Sequence, residues 1–172
     1  MYMVYRIKDN LIIPSKTEKL AEFFGILTGD GYAGRYSLPK RIVSSIEICG
    51  NKLKDYDYLK DYVAPLITNL FNIKIHIYSR DKQNLLRLII YSKEFTLLIN
   101  QWGFPLGKKE QIKIPAWIKQ NSNFMKVYIK GFFDTDGYLC LKKKEGKRYP
   151  VIGLSSKSKP LLEDFKVFLA ML

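Results

Sequence analysis

Apolar positions along the chain switch repeatedly between a helical and an alternating period. Pro14 and the capping-box signature Ser15-Lys16-Thr17-Glu18 precede an apolar-rich stretch, which predicts a helix from about residue 16 to Gly29, stopped by Gly31. Arg41 to Cys49 is β-branched and largely alternating, and Gly34 to Lys40 supplies turn residues, so a hairpin is expected over 32–50. Leu53, Tyr56, Leu59, Val63, Leu66, Ile67 and Leu70 form the stripe of an amphipathic helix over 53–71, with Pro65 in its middle. Ile73, Ile75 and Ile77 then alternate with Lys74, His76, Tyr78 and Arg80, giving a strand with one apolar and one basic face. A polar turn at 81–84, a strand from Leu85 to Ser92 and a helix from Lys93 to Gln101 complete an α-ββ-α-ββ-α order.

The pattern then recurs. Phe23-Phe24-Gly25-Ile26-Leu27-Thr28-Gly29-Asp30-Gly31 is matched by Ile129-Lys130-Gly131-Phe132-Phe133-Asp134-Thr135-Asp136-Gly137, and each segment runs apolar residues into Asp-Gly. After the second come a strand from Tyr138 to Lys144, a turn at 145–147, a strand from Arg148 to Leu154 and a helix from Pro160 to Leu172. The chain divides into a first unit over 1–102, a connection over 103–124 rich in Gly, Pro and Lys, and a second unit over 125–172 that lacks the later hairpin and helix of the first. Aligned on the Asp residues, Asn51-Lys52 and Ser156-Lys157 occupy similar places at strand exits.

Composition narrows the class of partner. At 172 residues and 47% hydrophobic the chain can bury a core, and 29 Lys and Arg against 16 Asp and Glu leave a charge of +13 spread along it. A polyanion is the natural partner for that excess. Cys49 and Cys140 form no CxxC and stand near no histidine cluster, which excludes a readable zinc site or disulfide framework. No apolar run approaches 18 residues and no signal-peptide order opens the chain, so a soluble, intracellular (cytoplasmic) protein without membrane association is expected.

The repeated segments carry candidate chemistry. Gly25 and Gly29 are four apart, as are Gly131 and Thr135, so each helix has a small-residue face. Interior Gly costs a helix roughly 1 kcal/mol against Ala, and two in one helix imply a close contact. Packing along those faces brings Asp30 and Asp136 together at helix C-termini, where the macrodipole and like charge both disfavour carboxylates. A divalent cation resolves this, and Mg²⁺ favours oxygen ligands. Lys52 and Lys157 are candidates to stabilise a charged transition state. One histidine, His76, supports no nucleophile triad.

The predicted hairpins and their turns hold Lys40, Arg41, Lys74, Arg80, Lys82, Arg87, Lys142, Lys143, Lys144, Lys147 and Arg148, with Gln83 and Asn84 at one tip and His76 and Tyr78 on a basic strand face. Two-stranded ribbons enter the DNA major groove, where such side chains read bases.

The two nonapeptides, the Asp at position eight of each, and the segments Gly103 to Lys109 and Ile114 to Ile118 resemble the LAGLIDADG homing endonucleases of the single-chain, two-motif type encoded by archaeal introns and inteins. The resemblance implies an α+β fold of two pseudo-symmetric αββαββα units packed through the motif helices, with antiparallel sheets forming a saddle over double-stranded DNA. It implies double-strand cleavage at a long asymmetric site by a monomer, with two or three Mg²⁺ ions shared by Asp30 and Asp136 and offered the carbonyls of Gly29 and Thr135. Asn51, Lys52, Ser156 and Lys157 match the polar and basic residues lining such sites. Two other readings stay open: a maturase binding its own intron RNA, and a non-catalytic DNA-binding regulator. With about 6 to 10 phosphate contacts, DNA affinity is expected to fall roughly 10³- to 10⁵-fold between about 50 and 200 mM salt; a filter-binding titration that stays flat over this range excludes the basic faces as the binding surface.

Overall fold

Helix α1 (Glu18–Asp30) is capped by Thr17, whose Oγ1 accepts from the Leu20 amide at 3.3 Å. Ser15 is therefore not the cap: Thr17 takes the extended cap conformation and leaves Glu18 in the first turn, where its charge suits the helix dipole. A computed structural model describes residues 10–39 and 41–171. The DNA-contact candidate Lys40 lies outside the described residues.

No loop separates α1 from strand β1 (Gly31–Leu38). Gly31 has extended backbone angles, and a Cβ there would stand 2.3 Å from the Leu27 carbonyl; at Gly137 it would stand 2.4 Å from that of Phe133. Each Asp-Gly pair is thus a direct helix-to-strand junction, and the glycine is required by the proximity of the last helical turn. β1 pairs antiparallel with β2 (Arg41–Asn51), and β2 with β4 (Leu85–Tyr91), which pairs with edge strand β3 (His76–Arg80), giving the order β1-β2-β4-β3.

Two elements depart from the periodicity reading. The helix expected over 53–71 has a π-helical turn at Tyr58–Val63 before α2 (Ala64–Phe71). Pro65 has no N–H and its ring crowds the preceding turn, which a wider turn accommodates. The strand expected from Ile73 is paired only from His76, because Ile73 enters the core at 3% exposure just after left-handed Asn72; Ile77, on the edge strand, is 50% exposed.

Helix α3 (Lys93–Gln101), capped by Ser92, leads through the connection to the short α4 (Ala116–Lys119) and then α5 (Ser122–Asp136). Strands β5 (Gly137–Lys144) and β6 (Lys147–Leu154) form a hairpin whose two-residue turn, Glu145-Gly146, has both φ angles positive, so Lys147 belongs to the strand and not to the turn. Helix α6 (Lys159–Leu169) packs Leu161 and Phe165 inward. The shift from Gly31 to Gly137 is 106 residues, and so is that from Ile48 to Leu154, their ladder partners. The two αββ units therefore superimpose in register, which corrects the alignment of strand exits by one residue: Asn51 corresponds to Lys157 and Lys52 to Ser158. Counterpart positions differ in burial, since Ala33 and Ile46 are fully buried whereas Leu139 and Ile152 are mostly exposed.

The core is organised around α1, whose Leu20, Ala21, Phe23, Phe24, Ile26 and Leu27 are all 0% exposed. A Cβ on Gly25 would lie 2.1 Å from the Tyr128 carbonyl, and one on Gly131 would lie 2.4 Å from that of Glu22. The two helix backbones therefore touch directly. Phe23 and Phe71 meet edge to face at 5.4 Å, and Tyr128 Oη donates across the interface to Thr28 Oγ1 at 2.8 Å, whose own hydroxyl donates to the Phe24 carbonyl. To one side, buried Glu22 accepts from Lys130 and Tyr62, each at 2.5 Å, and from Lys19 at 3.0 Å. Burial pushes its carboxyl up, but those hydrogen bonds outweigh it and leave it below its ordinary value.

Gly→Ala ordinarily stabilises a helix by roughly 1 kcal/mol. Gly25→Ala is expected to do the reverse, costing about 1 to 3 kcal/mol by overpacking, read as a lower denaturation midpoint; a raised midpoint would contradict backbone contact at this position.

Candidate active site and nucleic-acid face

Asp30 and Asp136 are the last residues of α1 and α5, and the backbone contact at Gly25 and Gly131 fixes how those ends meet. At Gly29 a Cβ would stand 1.9 Å from Thr135 Oγ1 and 3.4 Å from Asp136 Oδ2. Glycine at 29 is thus what lets the Thr135 side chain pack against the end of α1, with the Asp136 carboxylate beside it. Burial, then the charges of Asp136 and Asp55, push the Asp30 carboxyl up to about 6. Burial also raises Asp136, opposed by Lys109.

Lys109 is the residue that sequence reading missed. Its Nζ donates to the carbonyls of Thr28 at 2.9 Å and Gly29 at 2.6 Å, capping the negative end of α1 beside both carboxylates. Burial holds its ammonium below the usual range, with Asp136 and Asp30 acting in the opposite direction. It is placed by the connection: Gly107, at φ +85°, donates its amide to the Ala33 carbonyl at 2.7 Å and ties the segment to β1. The Gly-Lys-Lys run between prolines was visible in the sequence, but nothing local signals which helix end it reaches. Asp55 was also missed; its Oδ2 accepts from the Asn51 amide at 2.6 Å.

The four other catalytic candidates stand as follows. The Asn51 carboxamide oxygen accepts from the amides of Leu53 and Lys54, closing a turn. Lys52 Nζ is paired with Asp81 at 2.6 Å, toward the β3–β4 tip. Ser156 Oγ accepts from the Ser158 amide, and Lys157 is exposed. Asp134 pairs with Lys130 at 3.6 Å. Among the described residues no three His, Cys, Asp or Glu side chains form a metal-holding group. The donors at the helix ends are carboxylate and carbonyl oxygens, which fit a hard divalent cation whose remaining positions are filled by water or phosphate.

Cross-strand register sorts the basic candidates. Ala33, Ile46, Ile48, Leu86, Leu88 and Ile90 face the core, and Tyr32, Tyr36, Arg41, Glu47, Arg87, Tyr91, His76, Tyr78 and Arg80 share the opposite face. Lys74 is exposed ahead of β3, and Lys82, Gln83 and Asn84 are exposed at the tip. In the second hairpin Tyr138, Lys142, Lys144, Lys147 and Tyr149 occupy the counterpart face, while Lys143 and Arg148, paired with each other, lie on the reverse. Strand alternation therefore removes Lys143 and Arg148 from the shared basic face. Among the described residues no helix is long and apolar enough to cross a membrane.

The folded value of Asp30, about 6, lies above the ordinary 3.8, so the folded chain holds this proton more tightly and its ionisation costs stability as pH rises through about 6. In metal-free buffer Asp30→Asn is expected to match wild type below about pH 4 and to melt at higher temperature above about pH 6. A constant difference across that range in thermal melts would show that burial and the neighbouring charges do not hold the Asp30 carboxyl above its ordinary value.

Residues 123–172 match the LAGLIDADG-like domain. The chain is 28% identical over 95% of its length to tRNA-splicing ligase RtcB of Pyrococcus furiosus, of which it spans 18%, and 29% identical over 78% to the replication factor C small subunit of Methanocaldococcus jannaschii, of which it spans 7%. It is similar in structure to the homing endonuclease I-DmoI solved with DNA and Mn (TM-score 0.64, 21% identity, 90% of this chain and 77% of that one) and with DNA and Ca (TM-score 0.65, 21% identity, 90% and 71%). With its doubled Asp-Gly helices and antiparallel sheets, the chain matches the LAGLIDADG-like domain over residues 123–172 and shares the fold of the homing endonuclease I-DmoI.

Proposed function

We propose that this chain is a site-specific DNA endonuclease that hydrolyses both strands of a long asymmetric target with divalent metal ions, Mg²⁺ among them. The observation that carries the reading is the convergence of Asp30 and Asp136 from two helices whose backbones touch, next to sheets with a basic, tyrosine-rich face. Because one chain supplies both carboxylates, a monomer suffices. Asp30 and Asp136, with the carbonyls of Gly29 and Thr135, would hold the metal, which supplies an activated water and stabilises the leaving oxygen.

The chain's own residues prepare that site. The two carboxylates oppose each other until a cation arrives, so the pocket favours binding one. Lys109, held on the Gly29 carbonyl and beside both carboxylates, is placed to neutralise them in the free protein and to meet phosphate charge in the complex. Basic side chains on both hairpins bind backbone phosphates and position the duplex.

The two curated relatives have unrelated names, and this chain matches under a fifth of either. A segment common to such unlike proteins is a portable unit, which supports an origin inside an intron or intein and a role in spreading it.

The test is incubation of plasmid carrying candidate insertion sites with Mg²⁺, with Ca²⁺ and with chelator. Double-strand cleavage is expected with Mg²⁺ and none with chelator; a verified target that is bound but never cut in Mg²⁺ excludes the nuclease. Asp30→Asn and Asp136→Asn are expected to slow cleavage by roughly 10²-fold or more, and Lys109→Met by roughly 10²-fold, with binding largely kept. Wild-type cleavage by the Lys109 variant would return the role to Lys52 or Lys157.

A further inference from the structure

Among the described residues one acidic side chain, Glu47, stands on the sheet face that carries Arg41, Arg80, Arg87, His76 and the tyrosines. Glu47 lies opposite Ile89 on β4, on the same side as Arg87, whose cross-strand partners are Cys49 and Tyr78. A free carboxylate on a DNA-facing sheet repels phosphate, yet Glu47 is not free. Its Oε2 accepts from Arg87 Nη1 at 3.4 Å and its Oε1 from Ser45 Oγ at 3.4 Å, and that Oγ is 3.4 Å from Tyr36 Oη. Glu47 is 17% exposed and Arg87 33%. The carboxylate occupies one amino group of the guanidinium, and Arg87 Nε is buried without a protein partner among the described residues.

A second guanidinium is oriented by another device. Arg80 Nε donates to Tyr78 Oη at 2.8 Å and its Cζ stands 5.5 Å from the centre of that ring, and among the described residues both terminal amino groups are uncommitted. Arg80 is opposite Leu85 and Arg87 is opposite Tyr78, so the two arginines are diagonal neighbours on adjacent strands. Such neighbours are roughly 7 to 8 Å apart, about two base-pair steps of 3.4 Å.

Attraction to phosphate needs charge but no fixed orientation, and lysine serves it. A planar guanidinium held in place suits paired hydrogen bonds to guanine O6 and N7 in the major groove. We propose that Glu47 is a positioning residue that holds Arg87 to read a guanine, and that Arg80, held by Tyr78, reads a second guanine about two base pairs away. The inference rests on the DNA target of the proposed nuclease and assigns part of its specificity. It also gives the acidic residue a purpose: its cost in non-specific attraction is exchanged for discrimination between bases.

The experiment is selection of duplexes from a randomised pool by the full chain in chelator, followed by sequencing, for wild type, Glu47→Gln, Arg87→Lys, Arg80→Lys and the Glu47→Gln/Arg87→Lys pair. Wild type is expected to enrich guanine at two positions about two steps apart. Arg87→Lys should lower preference at one of them by roughly 5- to 150-fold and Arg80→Lys at the other. Glu47→Gln should flatten the Arg87 position alone, and the double variant should lose no more. Non-specific duplex binding by Glu47→Gln should be at least as tight as wild type, an outcome that a merely misfolded variant would not give. A guanine preference unchanged by Glu47→Gln overturns the inference. So does loss at a cytosine that Arg87→Lys leaves alone, which would mean that Glu47 contacts a base itself. A wild-type chain that retains duplex without the guanine pair overturns this inference alone; one that retains no duplex overturns the nuclease reading with it.

Discussion

Everything in this molecule is referred to the contact between the backbones of α1 and α5. Carbonyl oxygens of Glu22 and Tyr128 stand where Cβ atoms of Gly131 and Gly25 would otherwise be, so the helices approach as closely as main chains allow. That closeness has an apolar side, the aromatic set around Phe23, Phe24 and Tyr128, and a polar side, the Glu22 cluster. Large side chains on the outer faces of α1 and small ones on the inner face are one solution to one constraint: two helices must cross at the centre of a single core.

Electrostatics at the helix ends follows from it. Two C-termini brought together sum their dipoles, and Asp30, Asp136 and Asp55 add charge of the same sign. Lys109 from the connection offsets this in the free chain. The site is therefore stressed in a way that favours cations, and the stress is a direct product of helix packing. The glycine that follows each Asp completes the arrangement by sending the chain straight from helix end to strand.

Strand alternation makes the second contribution. From one helix end each unit lays out a hairpin with Tyr and basic residues on one face; the reverse face is buried in the first unit and largely exposed in the second. On the four-stranded sheet that face is ordered by side-chain contacts, Glu47 with Arg87 and Tyr78 with Arg80. On the β5–β6 hairpin it consists largely of lysines between Tyr138 and Tyr149. Hairpins of equal register thus support chemically unequal halves.

The sequence alone determined the element order, the repeat and the two aspartates, because these rest on local signals: periodicity, caps, turn residues and a motif written twice. It misplaced what depends on competition between neighbouring signals, such as Thr17 over Ser15 as cap, the π-helical turn ahead of Pro65, and the start of β3. It also joined Asn51-Lys52 to Ser156-Lys157, where ladder register sets the correspondence one residue later. Lys109, the pairing of Lys52 with Asp81 and the hold of Glu47 on Arg87 were decided only by tertiary structure. Each depends on where separate segments meet in space, and no residue's neighbours along the chain carry that information.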